Sequence, residues 1–155
     1  MPKEEFENLI LSITSDITGR SVNGELMDYL NDRYPPDGTE FQKLSDACRK
    51  GIAEGWLCHH EQGGIKFGRV IKAGEATHGF SVDVVDMEDI VGPHHRHPNG
   101  EIDMVIPETE GARFDNHGAG WVVYGPDSAH SPTVSNGRAI VLYLLPDGAI
   151  EFTGS

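Results

Sequence analysis

The sequence predicts a mainly β protein with α-helices at its N-terminus: a helical segment over residues 1–56 and a β-barrel or sandwich over residues 57–155. Apolar residues recur at helical spacing before Trp56, and short β-type runs follow Gly63-Gly64. The 19 glycines and 9 prolines lie mostly after Gly55, as expected of a turn-rich β structure. At 155 residues, the chain is long enough for one domain with a substantial core.

Three helices are predicted in the first segment, and Thr39 is the predicted N-cap of the third. Their apolar positions are Phe6, Leu9, Ile10, Ile13 and Ile17; then Leu26, Tyr29 and Leu30; then Phe41, Leu44, Ala47, Cys48 and Ile52. An amphipathic hairpin of this kind must bury its apolar stripe. We expect it to cap one end of the barrel or to form a dimer interface, and the sequence leaves both alternatives open.

Five β-type runs follow, separated by the turn-forming sequences Gly-Pro, Pro-Asn-Gly, Ser-Asn-Gly and Pro-Asp-Gly. Strands at this spacing with such turns are typical of a sandwich or a barrel. The predicted strands are Ile65–Ile71, Gly79–Met87, Glu101–Ile106, Gly120–Tyr124 and Arg138–Leu145.

The charge of the chain argues against two classes of partner. With 25 acidic and 12 basic residues, the net charge is −13, and a field of that sign repels nucleic acid and anionic membranes. No apolar run reaches the ~20 residues of a membrane span, and the first residues lack a signal-peptide pattern. Cys48 and Cys58 do not suggest a disulfide framework, so we expect a cytoplasmic protein.

The most informative motif is His95-Arg-His97-Pro-Asn-Gly-Glu101. Two histidines one residue apart on a strand point to the same side, and a strand that resumes after the Pro-Asn-Gly turn can return Glu101 to that side. His130 follows a second turn at Pro126-Asp-Ser. Imidazole and carboxylate ligands suit a divalent transition metal such as Fe²⁺, Mn²⁺ or Zn²⁺. We predict a metal site at His95, His97, Glu101 and His130.

Two further residues near this motif are candidates for proton transfer. Asp103 shares strand parity with Glu101, so its carboxylate is expected beside the metal as a general acid or base, with a rim ion pair as the alternative. His94 lies next to His95 on the strand and is expected to point outward, unless it provides an alternative ligand register.

Four residues are candidates for substrate binding. The guanidinium groups of Arg69 and Arg113 match a carboxylate, although either could instead pair with a surface acidic residue. Trp121 and Tyr124 lie on opposite faces of one predicted strand, so one of the two should line the cavity. An aromatic wall suits a planar ligand.

The motif resembles the two-part signature of the cupin superfamily, Gly-x5-His-x-His-x3,4-Glu-x6-Gly and Gly-x5-Pro-x-Gly-x2-His-x3-Asn. The ligand spacing matches, as do Gly120 and Pro126. Asp89 and Glu108 replace the glycines of the first half, and Ser128 and Val134 replace the second glycine and the asparagine. One spacer residue before His130 is also missing. The resemblance implies a cupin-type (RmlC-like) β-barrel or jelly roll holding one metal.

Longer runs resemble the bacterial 4-hydroxylaminobenzoate lyase family. They are Asn31-Asp-Arg-Tyr-Pro-Pro, Glu54-Gly-Trp56, Gly79–Met87, Gly92–Asp103, Trp121–Tyr124, Ser128–Val134 and Leu142–Ile150. The resemblance implies conversion of 4-hydroxylaminobenzoate, a small aromatic carboxylate, to 3,4-dihydroxybenzoate and ammonia. Glu101, together with Asp103 or His94, would then be catalytic, with Arg69 or Arg113 holding the substrate carboxylate. Cupins commonly pair, so a homodimer is expected.

Two rival functions remain open at the level of sequence. A cupin iron(II) dioxygenase acting on a small aromatic would consume oxygen, which a lyase does not need. A non-catalytic cupin that binds a small acid would yield no product from any hydroxylaminoarene.

Overall fold

The computed structural model describes residues 2–153, and within this range the chain forms three helices, one 3-10 turn and ten strands. The helices come first and the strands follow, which confirms the predicted fold class. The helices are α1 (Pro2–Ile17), α2 (Gly24–Arg33) and α3 (Thr39–Glu54), and the 3-10 turn is Glu75–Thr77. The strands are β1 (His60–Gln62), β2 (Ile65–Ile71), β3 (Phe80–Val91), β4 (His95–His97), β5 (Glu101–Pro107), β6 (Arg113–Phe114), β7 (Gly120–Tyr124), β8 (Ser128–His130), β9 (Thr133–Pro146) and β10 (Glu151–Phe152).

The strands form two antiparallel sheets of unequal size. Within the described residues, the large sheet has the order β1-β2-β3-β9-β5-β7, with β6 paired to β9, and the small sheet has the order β10-β4-β8. Side chains alternate between the two faces of each strand. On β5, Ile102, Met104 and Ile106 point to one face, whereas Glu101 and Asp103 point to the other.

The three helices cover the outer face of the large sheet. One continuous core joins helix residues such as Phe6, Ile10 and Leu30 to sheet residues such as Val84 and Leu142, all of them almost completely buried. The helical segment therefore covers a face of the large sheet. The apolar stripes of the helices are buried in this core. The opposite face of β5, which carries Glu101 and Asp103, is buried as well, so every residue of the strand from Glu101 to Ile106 is buried.

Asn31 on α2 joins the helical layer to the edge strand β7. Its Nδ2 donates to the carbonyl of Trp121 at 2.9 Å, and its Oδ1 accepts from the Trp121 backbone N–H at 2.8 Å. The amide thus takes the place of a neighbouring strand. A Cβ at Gly120 would lie 2.8 Å from Asn31 Oδ1, and Gly120 has φ +137, so both contact and conformation favour glycine there.

Two local predictions were wrong. Thr39 is the first residue of α3, and Gly38 is its N-cap, without a side-chain hydrogen bond. The Ser135-Asn-Gly137 sequence lies inside β9, because the register of β3 and β9 shifts there. Asp89 accommodates the irregularity: its φ is +43 and its Oδ1 accepts from the Gly137 N–H at 3.0 Å. Asp89 thus adopts a positive-φ conformation of the kind that glycine adopts readily, and glycine is the residue of the cupin motif at this position.

Cys48 and Cys58 are both buried and free. No helix within residues 2–153 has the length and apolar character needed to cross a membrane.

Candidate metal centre

The four predicted metal ligands lie between the two sheets. β4 carries His95 and His97, and antiparallel pairing with β8 sets His130 directly opposite His95. Glu101 comes from the inner face of the large sheet, at the start of β5. A tight turn after His97 makes this possible: Gly100 has φ +92, and a Cβ there would lie 2.8 Å from the Tyr124 carbonyl.

The ligand atoms of these four residues converge on one point. Within the described residues, one potential ligand atom from each lies within 4.8 Å of all the others. Glu101 Oε1 is 3.3 Å from His95 Nε2 and 3.2 Å from His97 Nε2, and Glu101 Oε2 is 3.4 Å from His130 Nε2. His95, His97 and Glu101 are at most 2% exposed, so solvent reaches the cluster poorly.

Hydrogen bonds behind each ring fix the imidazole tautomers. His95 Nδ1 lies 3.3 Å from the Pro93 carbonyl, which can only accept. His97 Nδ1 lies 2.9 Å from Ser128 Oγ, whose single hydrogen is donated to the Gly125 carbonyl at 2.6 Å. Ser128 must therefore accept from His97. Both rings carry hydrogen on Nδ1 and present an Nε2 lone pair to Glu101.

The third ring is held by Asp115, whose Oδ2 accepts from His130 Nδ1 at 2.5 Å. The same oxygen accepts from the Tyr124 hydroxyl at 2.5 Å, and Oδ1 accepts from the Thr133 backbone N–H at 2.9 Å. Burial alone would raise the pKa of Asp115, but the hydrogen bonds from His130 and Tyr124 lower it. Asp115 is therefore a charged acceptor that orients His130.

This donor set fits a divalent cation. Lone pairs of His95 and His97 face the Glu101 carboxylate, and among residues 2–153 the buried His97 Nε2 and Glu101 Oε2 have no hydrogen-bond partner. Burial alone would raise the pKa of Glu101, but the hydrogen bond from His130, the largest opposing cause, holds it well below its usual range. The site combines one carboxylate with three imidazoles, and each imidazole is already hydrogen-bonded through its Nδ1. This combination is typical of a transition-metal site.

A proton can occupy one position of the same cluster. Burial alone would lower the pKa of His130, but hydrogen bonds to Asp115 and Glu101 raise that pKa to about 9. Protons and metal ions therefore compete for His130 Nε2.

Asp103 lies beside the cluster, on the same face of β5 as Glu101. It is fully buried, and neither carboxyl oxygen has a hydrogen-bond partner among the described residues. Burial and the charge of Glu101 raise the pKa of Asp103 well above its usual value. Its register partner on the adjacent strand β9 is Tyr143, whose pKa is likewise raised, chiefly by burial. Asp103 is therefore a buried carboxyl group next to the candidate metal centre, with a pKa raised by burial and by the charge of Glu101.

The structure brings one of the two predicted aromatic residues to the centre. Tyr124 packs against His97 and His130, with ring centroids 5.4 and 4.5 Å apart. Trp121 points to the other face, where it is 2% exposed, packs against Phe41 and donates its Nε1–H to the Tyr34 carbonyl. Trp121 therefore belongs to the core under the helices, and the expectation that it contacts substrate needs correction.

Two other predicted residues lie away from the centre. His94 Nδ1 pairs with Thr153 Oγ1 on the exposed side of β4, as alternation from His95 requires. Arg113 is exposed on β6 and donates to the Asn116 carbonyl at 3.2 Å. Neither side chain faces the cluster, so neither is placed for the role proposed from sequence.

A cavity of about 880 Å³ opens beside the cluster and has His95 and Tyr143 in its wall. Arg69 lines the same cavity, where Asp83 accepts from its Nε at 3.0 Å and its Nη2 at 3.2 Å. Burial raises the pKa of Asp83 despite the Arg69 guanidinium. The remaining lining residues are mostly apolar, as in many small-molecule sites.

Sequence reasoning missed Asp115, Tyr143 and the hydrogen-bonding role of Ser128. Ser128 was visible only as a departure from glycine in the motif. Asp115 lies in a turn where it has φ +48, and no spacing pattern links it to the histidines. Tyr143 could have been found from strand parity, had the pairing of β9 with β5 been known.

Comparisons with known proteins agree in pointing to one family. The family model described as PnbB: 4-hydroxylaminobenzoate lyase matches residues 8–152. The 4-hydroxylaminobenzoate lyase of Pseudomonas putida is 32% identical over 167 residues, which cover 97% of this chain and 95% of that protein. The protein of the same name from Nocardioides sp. (strain LMS-CY) is 31% identical over 147 residues, covering 89% and 87%.

The solved structures that match this chain are less similar to it. The DMSP lyase DddQ from Ruegeria pomeroyi DSS-3 has a TM-score of 0.46 and 18% identity, covering 97% of this chain and 96% of that one. An RmlC-like cupin protein from Ralstonia eutropha JMP134 has a TM-score of 0.42 and 14% identity, covering 55% and 57%. The range matched by the family model contains every residue of the imidazole–carboxylate cluster.

Proposed function

Because the chain belongs to the 4-hydroxylaminobenzoate lyase family, we propose that it converts 4-hydroxylaminobenzoate, or a related hydroxylaminoarene, into 3,4-dihydroxybenzoate and ammonia. The observation that carries this proposal is the convergence of three imidazoles and Glu101 beside a mostly apolar cavity. Two relatives above 30% identity bear the name of this activity.

The proposed reaction balances without an external oxidant. The N–O bond breaks with its electron pair on oxygen, which takes up a proton and leaves as water. One water adds to the ring carbon beside the carbon that bears nitrogen, and a second water replaces nitrogen, which leaves as ammonia. Net consumption is one water per substrate.

In this proposal His95, His97, Glu101 and His130 hold one divalent transition metal, Fe²⁺ or Mn²⁺ in the first place and Zn²⁺ as the alternative. When bound, such an ion supplies Lewis acidity that stabilises negative charge on a departing or attacking oxygen. The Nδ1 hydrogen bonds to Pro93, Ser128 and Asp115 keep the three Nε2 lone pairs directed at the centre.

Asp103 is the proposed proton donor to the departing oxygen. Its carboxyl group is fully buried and shares the inner face of β5 with Glu101, beside the four ligand side chains. Arg69 is the proposed anchor for the substrate carboxylate, because it lines the cavity that reaches His95. Because the cluster is buried, bulk water is excluded from the contacts among its four ligand side chains.

Ammonia release under anaerobic conditions tests the proposal. Glu101→Ala and His97→Ala should each lower kcat/KM at least 100-fold and lower the metal content, measured by elemental analysis of protein purified without a polyhistidine tag. His117→Ala is the matched control, because that histidine is exposed and is not one of the four clustered ligand residues. Unchanged turnover in both ligand variants would remove the metal from the mechanism.

The absence of oxygen separates the lyase from an iron(II) dioxygenase. A lyase should turn over at the same rate with and without oxygen, because the balanced reaction consumes none. Oxygen uptake that accompanies product formation would favour the dioxygenase, and no product from any hydroxylaminoarene would favour a binding protein.

A further inference from the structure

The cavity beside the cluster is bounded by both sheets. The inner face of the large sheet supplies Phe67, Arg69 and Tyr143, and the small sheet supplies His95 and Phe152. Each sheet therefore contributes one phenylalanine, and the wall between them reaches the candidate metal centre at His95. A volume of about 880 Å³ is within the usual range for small-molecule sites.

Phe152 is unusual because it is exposed and yet lines this cavity. Its side chain is 63% exposed, and Val91, which also lines the cavity, is 61% exposed. Within residues 2–153, only Leu11 joins them as an exposed large apolar side chain. Exposed apolar side chains concentrated at the mouth of a cavity favour an apolar ligand, since water contact with them is unfavourable.

The segment that carries Phe152 is fixed to the strand that carries the metal ligands. In β10, Glu151 pairs with Arg96 at 3.2 Å, and Phe152 is the register partner of His95. The Thr153 backbone N–H donates to the His94 carbonyl at 3.1 Å. These successive contacts hold the Phe152 ring against the His95 imidazole, with centroids 5.7 Å apart and planes inclined at 65°.

Arg69 places a positive charge in the wall of the cavity. It is the one arginine or lysine among the described lining residues, in a chain of net charge −13. Asp83 holds its guanidinium in place through Nε and Nη2, which leaves Nη1 for another partner. A ligand carboxylate can therefore bind at Arg69, and His95 lies in the wall of the same cavity.

We propose that this cavity is the subsite for the ring of a para-substituted benzoate, which lies between Phe67 and Phe152 with its carboxylate at Arg69 and its para substituent at His95. The inference rests on the proposed function for the class of substrate. It adds the orientation of the ring and assigns Phe152 as the residue that selects an aromatic ring.

Binding of two unreactive acids tests the subsite without turnover. Isothermal titration of the metal-loaded protein is carried out with 4-hydroxybenzoate and with cyclohexanecarboxylate, which has a similar size and no π face. Phe152→Leu keeps apolar volume and removes the aromatic face, so 4-hydroxybenzoate should bind roughly 3- to 10-fold more weakly. The affinity for cyclohexanecarboxylate should change less than about twofold.

Leu11→Ala is the matched control, since Leu11 is also an exposed apolar side chain but lies on α1, outside the cavity. It should leave both affinities unchanged. An unchanged ratio of the two affinities in Phe152→Leu, or an equal change in Leu11→Ala, overturns the subsite.

The anchor is tested separately with Arg69→Gln. This variant should weaken the binding of 4-hydroxybenzoate at least 10-fold. The affinity for phenol, which lacks the carboxylate, should change less than about twofold. Equal losses for both ligands would contradict the orientation.

The binding measurements and the ammonia assay fail independently. A protein that releases no ammonia but keeps a Phe152-dependent preference for the aromatic acid refutes the proposed reaction and supports the subsite. A protein that releases ammonia but shows no such preference supports the reaction and refutes the subsite.

Discussion

Each imidazole of the candidate metal centre donates its Nδ1 hydrogen to a different kind of acceptor. His95 uses a carbonyl and His97 a hydroxyl, whereas His130 uses the carboxylate of Asp115. A charged acceptor raises the basicity of the ring and fixes its orientation more strongly than a neutral one. Asp115 also accepts from Tyr124, so this residue holds two of the side chains that surround the centre.

Asp115→Asn should weaken metal binding about 10- to 100-fold, because the acceptor behind His130 loses its charge. Competition with a chromogenic chelator measures this change directly, without the enzymatic reaction. Tyr124→Phe removes a hydrogen bond to the same carboxylate but no charge, so its effect should be smaller.

Asp28→Asn provides the control for charge, since Asp28 is exposed on α2. An Asp115→Asn protein with the metal affinity of Asp28→Asn would show that Asp115 does not position His130.

At this scale, the ligands were predictable and their supports were not. Alternation on a strand is enough to place His95 and His97 together, and a turn returns Glu101 to them. Asp115 reaches His130 through a turn whose positive φ no sequence spacing encodes. Strand parity separated Tyr124 from Trp121, but the sequence could not say which of the two faces was covered by helices.

At the scale of elements, long strands were predictable and short ones were not. β2, β5 and β7 were predicted to within one residue, because their alternating or apolar runs are long enough to show a pattern. Strands of two or three residues, such as β6 and β10, show no period and form because neighbouring strands supply their partners. The small sheet, which carries all three histidine ligands of the candidate metal centre, consists only of such strands.

The contact of α2 with the edge of the large sheet gives a prediction for Asn31→Ala. The substitution leaves the backbone N–H and C=O of Trp121 without their side-chain partner in a buried environment. The free energy of unfolding should therefore fall by about 1–3 kcal/mol. Urea denaturation followed by tryptophan fluorescence measures the change.

Asn8→Ala is the matched variant, because Asn8 is an exposed residue of α1. It should change the free energy of unfolding by less than about 0.5 kcal/mol. Equal effects of the two substitutions would mean that the Asn31 amide does not stabilise the sheet edge.

At the scale of the whole molecule, the helices and the large sheet share one hydrophobic core. The residues of the sheet that face the helices are almost completely buried by them: Val82, Val84, Ile102, Met104, Ile106, Ile140, Leu142 and Leu144. Arg49 on α3 adds an ion pair to Glu108, just after β5, at 2.9 Å. The change of sequence character near Trp56 therefore marks a change of secondary structure within a single core.

A fragment of residues 57–155 should consequently fail to fold by itself. Removing the helices exposes the buried face of the sheet, and each such side chain contributes about 1.5–3 kcal/mol when buried. For the eight side chains the total loss is on the order of 12–24 kcal/mol, which is as large as the about 5–15 kcal/mol by which domains of this size are stable, or larger. The fragment should bind a hydrophobic dye and show no cooperative thermal transition.

Adding a peptide of residues 1–56 tests the reason for this failure. If the helices act by covering the sheet, the mixture should regain a cooperative transition and bind less dye, because the shared core can form between two chains as well as within one. A cooperative transition of the 57–155 fragment alone, near the melting temperature of the whole chain, would instead show that the sheets fold independently of the helices.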